Sequence, residues 1–226
     1  MEHGRKLIQK GKLKMPYAFT PKFTYSFTGA NQNPLPSPWE SAPPDLSANN
    51  LQQSGNVGIG TSSPLPIPAV SAMLFTNPRF LPPYRLIGSP CYAQVTIASL
   101  VHEGDASETS IDIILRATIN ATAGFSTEIS RAAAGGYHFD CVSLSDDQLV
   151  FSQDFTEIPK SGDVIIVSSV GTTQAVFLNG TLMVSGTSAA NPGPFDSTVY
   201  LQINSGVTLS DPSVTDFVVG SVSGSL

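Results

Sequence analysis

Between residues 91 and 222 the chain alternates short apolar runs with turn residues. In the clearest run, residues 111–119, every second side chain from Ile111 to Ile119 is apolar, and Asp112, Arg116 and Thr118 lie between them. Successive side chains of a β-strand point to opposite faces, so this alternation predicts a strand with one buried face. Similar runs follow along the chain without a helical period among them, which predicts an all-β protein.

The predicted strands end at turn residues and are joined by short connections. They cover residues 23–28, 56–61, 69–75, 91–101, 110–119, 125–131, 136–144, 148–153, 164–169, 174–178, 181–185, 198–204 and 214–222. Asn179-Gly180 lies between two of these runs, and both central residues of a type I′ hairpin turn need a positive φ, which Asn-Gly adopts readily. Short connections and about a dozen strands favour two packed antiparallel sheets.

Two further features of the sequence bear on the core. Residues 34–90 carry twelve of the eighteen prolines, so this region is predicted to form surface connections and edge strands. Cys91 and Cys141 both fall in strand runs and are expected to be buried thiols, with one disulfide bridge as the alternative. The side chains predicted to be buried are Val95, Ile97, Ile111, Ile113, Leu115, Ile119, Phe139, Val164, Ile166, Phe177, Leu201 and Ile203.

Composition and charge divide the chain into an arm and a body. Hydrophobic residues make up 41% of the 226 residues, enough for a core, while charged residues make up only 12%. Residues 1–22 hold six basic residues and one acidic residue, a net charge of +5, whereas residues 23–226 hold five basic and sixteen acidic residues, a net charge of −11, which together give −6. We therefore predict an extended basic arm at 1–22 and one β-sandwich domain at 23–226.

Several motifs of the body resemble concanavalin A-like (laminin G-like) jelly-roll domains. Residues 27–39, FTGANQNPLPSPW, resemble the opening of such domains, in which an aromatic residue ends a strand before an Asn-Pro-Leu turn and a tryptophan. Residues 176–184 resemble the hairpin of that family, residues 135–142 its central strand, and residues 214–220 the closing strand that pairs beside the first. The resemblance implies a two-sheet antiparallel jelly-roll sandwich, a fold used by lectins, glycoside hydrolases and surface proteins of phage particles.

Catalytic chemistry is not predicted. Glu103, Asp105 and Glu108 reproduce the Glu-x-Asp-x-x-Glu order of one glycosidase family with this fold, but Gly, Ala and Ser separate them in a connection between strands, which favours a solvated turn. The histidines are scattered, so neither a metal site nor a cofactor is expected. His138 and Cys141 are three positions apart on a predicted strand and should face opposite sides.

Candidate binding residues fall into two groups. The arm is predicted to dock on a neighbouring protein through basic and aromatic side chains, at Arg5, Lys6, Lys10, Lys12, Lys14, Tyr17 and Phe19. Aromatic platforms for a sugar could be provided by Trp39, Tyr84, Tyr137 and Tyr200.

The function predicted from these features is that of a non-enzymatic virion structural protein, a phage capsid-decoration or tail-associated protein assembled in the host cytoplasm. It would bind other virion proteins through the arm and form symmetric oligomers. The first twenty residues lack the apolar core of a secretion signal, and no run is long enough to span a membrane. The alternatives are a glycan-binding lectin module and, second, a jelly-roll capsid protein whose arm binds nucleic acid.

Overall fold

A computed structural model describes residues 17–31, 39–41, 51–54, 56–59, 69–75, 90–100, 109–117, 123–189, 198–205 and 212–224. Within these ranges every regular element is a β-strand. In chain order the strands are β1 (Ala18–Ser26), β2 (Trp39–Ser41), β3 (Gln52–Ser54), β4 (Val57–Ile59), β5 (Ala69–Phe75), β6 (Cys91–Ser99), β7 (Ser110–Ala117), β8 (Phe125–Arg131), β9 (Tyr137–Ser143), β10 (Gln148–Asp154), β11 (Val164–Val170), β12 (Thr173–Leu178), β13 (Thr181–Thr187), β14 (Thr198–Ser205) and β15 (Ser213–Ser223).

The strands form two antiparallel sheets that pack face to face. Sheet A has the order β13-β12-β11-β6-β15-β4-β3, with β1 also paired to β15, and sheet B has the order β10-β9-β8-β7-β14-β5-β2. The predicted all-β, two-sheet sandwich is therefore confirmed, and β15 pairs beside β1 as the resemblance implied. Between the sheets lies one apolar core, built from alternate side chains of both.

The N-terminal strand begins earlier than predicted. β1 starts at Ala18, so the strand crosses the predicted boundary between an arm at 1–22 and a body at 23–226. Its pairing with β15 slips by one residue between Pro21 and Phe23. Because of this bulge, Phe19 faces outward, whereas Phe23 and Tyr25 pack against the core between the sheets.

The outer face of sheet A carries an apolar cluster of its own. Phe177, Ile166 and Val164 were predicted to lie in the core between the sheets. Phe177 and Ile166 are buried in this outer cluster instead, and Val164 is only half-buried beside them. Both parities of β11 are apolar, so alternation alone could not identify the inward face. Ile119 lies outside the described residues, and the other side chains predicted for the core are fully buried in it.

The hairpin between β12 and β13 has the predicted turn. Asn179 and Gly180 both have positive φ, 49° and 78°. The Asn179 side chain also links the turn to the preceding loop, because its Oδ1 accepts from the Val164 amide and its Nδ2 donates to Asp163 Oδ1, each at 2.9 Å. Tyr137 of sheet B donates its hydroxyl to Asp163 Oδ2 at 2.9 Å, so this carboxylate connects the two sheets.

Both cysteines are buried and unbridged, which confirms the expectation of two thiols. Burial raises the pKa of Cys91 and of Cys141 to about 12. The described residues include no helix that is long and apolar enough to cross a membrane.

Candidate functional site

Two rows of polar side chains cross the outer face of sheet B. The first row follows the pairing Gln202–Asp112–Glu128–Asp140 over β14, β7, β8 and β9. The second row follows Asn204–Ser110–Ser130–His138–Asp154 over the same strands and β10. We call these nine residues the polar face. Adjacent strands lie about 4.8 Å apart, so the rows place side chains of five strands next to one another.

Alternation explains why polar residues collect on this face. Ile111 and Ile113 of β7 point into the core, as do Phe139 and Cys141 of β9, so the residues between them must point outward. His138 and Cys141 therefore face opposite sides of the sheet, as predicted. The polar positions of five strands meet because the strands pair in register.

Asp112 is the centre of a hydrogen-bond network at the closed side of the polar face. Its Oδ1 accepts from Ser110 Oγ at 2.9 Å, and its Oδ2 accepts from Gln202 Nε2 at 2.8 Å and from Asn204 Nδ2 at 2.9 Å. Asn204 Nδ2 also donates to Ser110 Oγ at 2.7 Å. Asp112 is only 7% exposed, so its carboxyl group positions the two amides and is not itself open to a ligand.

The environment of Asp112 changes its acidity. Burial and, to a smaller extent, the neighbouring Glu128 carboxyl group raise its pKa to about 7, against the opposing effect of the hydrogen bonds from Ser110, Asn204 and Gln202. Desolvation disfavours the charged form of a carboxyl group, and a nearby like charge acts in the same direction. The pKa of this carboxyl group therefore lies near neutral pH, well above that of an exposed aspartate.

The open side of the polar face lies on β8, β9 and β10. Glu128 and Asp140 are half-buried and directly opposite each other on neighbouring strands. His138 Nδ1 lies 2.6 Å from Asp154 Oδ1, with 26% of the His138 side chain and 67% of the Asp154 side chain exposed. This side offers hydrogen-bond acceptors at fixed spacing, which suits a ligand rich in hydroxyl groups.

A metal centre is not present in this arrangement. Across the described residues, no three His, Cys, Asp or Glu side chains are grouped so that they could hold a metal ion. The carboxyl groups of the polar face lie on four different strands and do not converge on one point.

The structure corrects two of the four predicted sugar platforms. Tyr137 points into the core, where its ring stacks on Phe139 with centroids 5.4 Å apart, and it is fully buried. Tyr200 lies on the same side of β14 as Gln202 but is also fully buried, and burial raises its pKa to about 12. Neither ring has a face open to a sugar. The side chain of Trp39 and the whole of Tyr84 lie outside the described residues.

Two of the predicted docking residues belong to the sandwich. The Phe19 ring packs edge-on against Tyr92 and Phe177, with centroids 5.1 and 5.3 Å apart, and the Tyr17 ring packs against Phe177 at 5.7 Å. This corrects their placement in a free arm, because their partners are on the chain's own sheet A. Arg5, Lys6, Lys10, Lys12 and Lys14 lie outside the described residues, as do Glu103, Asp105 and Glu108.

The polar face itself was missed in the sequence. Alternation already places Asp112 on the outward side of its strand, but it does not reveal which residue of the next strand stands opposite. Glu128 and Asp140 are distant from Asp112 in sequence and join its row only because β8 pairs with β7 and β9 pairs with β8. Strand alternation combined with a correct strand order would have found the first row.

No known protein family matches the sequence, and no curated protein does. Solved structures with similar folds include an endo-β-1,3-glucanase from Pyrococcus furiosus, with a TM-score of 0.57 and 11% identity over 92% of this chain and 96% of the other. The carbohydrate recognition domain of Emp46p, in a potassium-bound form, has a TM-score of 0.55 and 8% identity over 84% and 90% of the two chains. The exoplasmic/lumenal domain of VIP36, bound to Ca²⁺ and Man3GlcNAc, has a TM-score of 0.54 and 7% identity over 83% and 85%. At these identities the comparisons establish the fold alone, and they confirm the predicted concanavalin A-like sandwich.

Proposed function

We propose that the protein is a non-enzymatic glycan-binding module whose binding surface is the open side of the polar face. The observation that carries the proposal is the pair of polar rows across five strands of one sheet. Carboxylates accept hydrogen bonds from sugar hydroxyls, and charge-assisted bonds of this kind are stronger than neutral ones. Similar folds that carry carbohydrate ligands, such as VIP36 with Man3GlcNAc, support the proposal by analogy of fold.

The charge of the surface narrows the class of glycan. Glu128, Asp140 and Asp154 line the open side, and neither Lys nor Arg occupies any of the nine positions of the polar face. Like charges facing each other across an interface are unfavourable. A neutral oligosaccharide is therefore the expected ligand, and uronic acid or sulfated glycans are expected to be excluded.

The hydrogen bonds of Asp112 support binding without hydrolysis. Retaining and inverting glycosidases need two carboxyl groups that both reach the scissile bond. Both oxygens of Asp112 are occupied within the chain, so the pair Asp112–Glu128 does not offer an acid and a nucleophile to the same substrate.

An array of neutral and acidic oligosaccharides, followed by calorimetry on the best ligand, tests the proposal. Glu128→Gln and Asp140→Asn should each weaken binding roughly tenfold, the effect of losing one charge-assisted hydrogen bond. Asp146→Asn, in the exposed turn between β9 and β10, is the matched control and should bind as the unmodified chain does. Binding that is unaffected by both face variants would place the site elsewhere. Release of new reducing ends that disappears in Glu128→Gln would show an enzyme.

The role on a virus particle stays a prediction. One of its three supports is the basic, aromatic arm, beside the surface-type sandwich and the lack of a secretion signal, and the packing of Tyr17 and Phe19 on sheet A shortens that arm. Sedimentation of the natural chain with virus particles in fixed stoichiometry would support that role.

A further inference from the structure

We propose that two copies of this chain associate along β13, so that sheet A continues from one copy into the other. β13 is the last strand in the order of sheet A among the described residues, and it is seven residues long. Thr181, Leu182, Ser185 and Thr187 are exposed along it, Leu182 at 43%. A strand at a sheet edge presents unpaired N–H and C=O groups that can pair with another strand.

The other edges of the two sheets have features that prevent such pairing. β1 carries Pro21, Lys22 and a bulge, and β10 carries a bulge and ends at Asp154. β2 and β3 are three residues long. Proline, charge, bulges and short length are the usual ways in which proteins protect an edge strand. β13 has a bulge at Met183, but its last four residues pair regularly with β12 and contain neither charge nor proline.

Charge identifies a second copy as the partner. Residues 164–195, which include β11, β12 and β13, contain no Asp, Glu, Lys, Arg or His, although residues 23–226 have a net charge of −11. Copies of an acidic protein repel each other except where the approaching surfaces are uncharged. A second uncharged run, residues 46–78, is described only in part and supplies the three-residue edge strand β3.

A two-fold contact also suits the chemistry of this edge. In an isologous interface the same patch faces itself, so a patch of one charge would face a patch of like charge. β13 avoids this because its side chains are Thr, Leu, Met, Val, Ser and Gly. Leu182 is exposed and lies opposite Phe177 on the outer face of sheet A, next to the edge formed by β13. It would lose solvent exposure when β13 pairs with a second copy.

Analytical ultracentrifugation of the full chain tests the inference. The chain should dimerise, and Ser185→Glu with Thr187→Glu should weaken dimerisation roughly tenfold or more, since like charges opposite each other destabilise paired strands. Thr24→Glu with Ser26→Glu adds the same charge to exposed positions of β1, which β12, β11, β6 and β15 separate from β13, and should leave the dimer unchanged. A monomer at all accessible concentrations, or equal weakening by both double variants, overturns the inference.

Salt and hydrogen exchange provide readouts on the unmodified chain. Because the proposed contact is uncharged while the bodies repel, added salt should preserve or tighten the dimer. A dimer that dissociates in salt would instead indicate association of the basic N-terminal segment with an acidic body, and would overturn the β13 contact. Backbone amides of β13 should gain protection from exchange as the protein concentration rises, whereas amides of β1 should not.

Discussion

Asp112 on β7 lies directly opposite Glu128 on β8, and the two carboxyl groups face the same side of sheet B. Burial and this neighbour together bring the pKa of Asp112 to about 7, compared with about 3.9 in an unfolded chain. Over the interval between these values the folded protein holds a proton that the unfolded chain has released. The stabilisation is complete below the unfolded pKa and is lost as the pH rises through the folded pKa.

Asp112→Asn should remove this pH dependence. The amide has nearly the same shape and stays neutral, so the free energy of unfolding should no longer fall as the pH rises toward 7. The unmodified chain should lose up to about 1.4 kcal/mol per pH unit in this window. Urea unfolding at several pH values measures the difference, with the exposed Asp146→Asn as control. Parallel pH profiles for Asp112→Asn and the unmodified chain would contradict the assignment.

The turn at Asn179 allows conformation and hydrogen bonding to be separated. Asn179→Gly still adopts the positive φ readily but loses the side-chain hydrogen bonds to Val164 and Asp163. Asn179→Ala loses these hydrogen bonds and also disfavours the positive φ. Each contribution is typically about 1 kcal/mol, so the alanine variant should be destabilised by about 2 kcal/mol and the glycine variant by about half of that. Thermal unfolding measures both. Equal losses in the two variants would mean that the hydrogen bonds alone stabilise the turn.

Gly220 is needed where β1 meets β15. A Cβ atom at this position would lie 2.2 Å from the Thr20 carbonyl oxygen and 2.5 Å from Cε1 of Tyr92. Gly220→Ala should therefore displace β1 and destabilise the protein by about 1–3 kcal/mol, the usual cost of overpacking. Hydrogen exchange should show faster exchange in β1 than in the control Ser221→Ala. Unchanged exchange in β1 would show that the strand shifts without loss of pairing.

Both thiols should be unreactive in the folded protein. The pKa of each is raised by burial to about 12, and only the thiolate reacts with alkylating agents. Mass spectrometry after iodoacetamide treatment at neutral pH should show no modification of the folded chain and two modifications in denaturant. Rapid labelling of Cys91 in native conditions would indicate that the end of β6 opens.

The sequence predicts the strands well because their alternation is local. Residues 69–75 and 125–131 were predicted with the bounds that β5 and β8 have. Tyr137 could have been assigned to the core by the same alternation, since it shares a face with Phe139 and Cys141. Its assignment as a sugar platform came from residue type alone, and that explains the error.

The order and register of the paired strands could not be predicted from the sequence. They determine both the polar face and the position of β1. The register that brings Gln202, Asp112 and Glu128 together depends on the order of β14, β7 and β8. Arg116, predicted on the solvent side, has a positive φ at a break in the pairing of β7 with β14 and is 5% exposed. A bulge of this kind reverses a side chain without any break in the alternation of the sequence.

The extra residue in β1, Lys22, has a consequence for how the N-terminal strand tolerates insertions and deletions. Lys22 is exposed, so many substitutions should be acceptable there, and its deletion would leave Phe19 and Phe23 three positions apart, the spacing that places two side chains of a regular strand on opposite faces. Phe19 would then still pack on Tyr92 and Phe177, and Phe23 would still face the interior. The strand should therefore tolerate the loss of this residue, because the regular pairing with β15 that results keeps both rings on the faces that they occupy now.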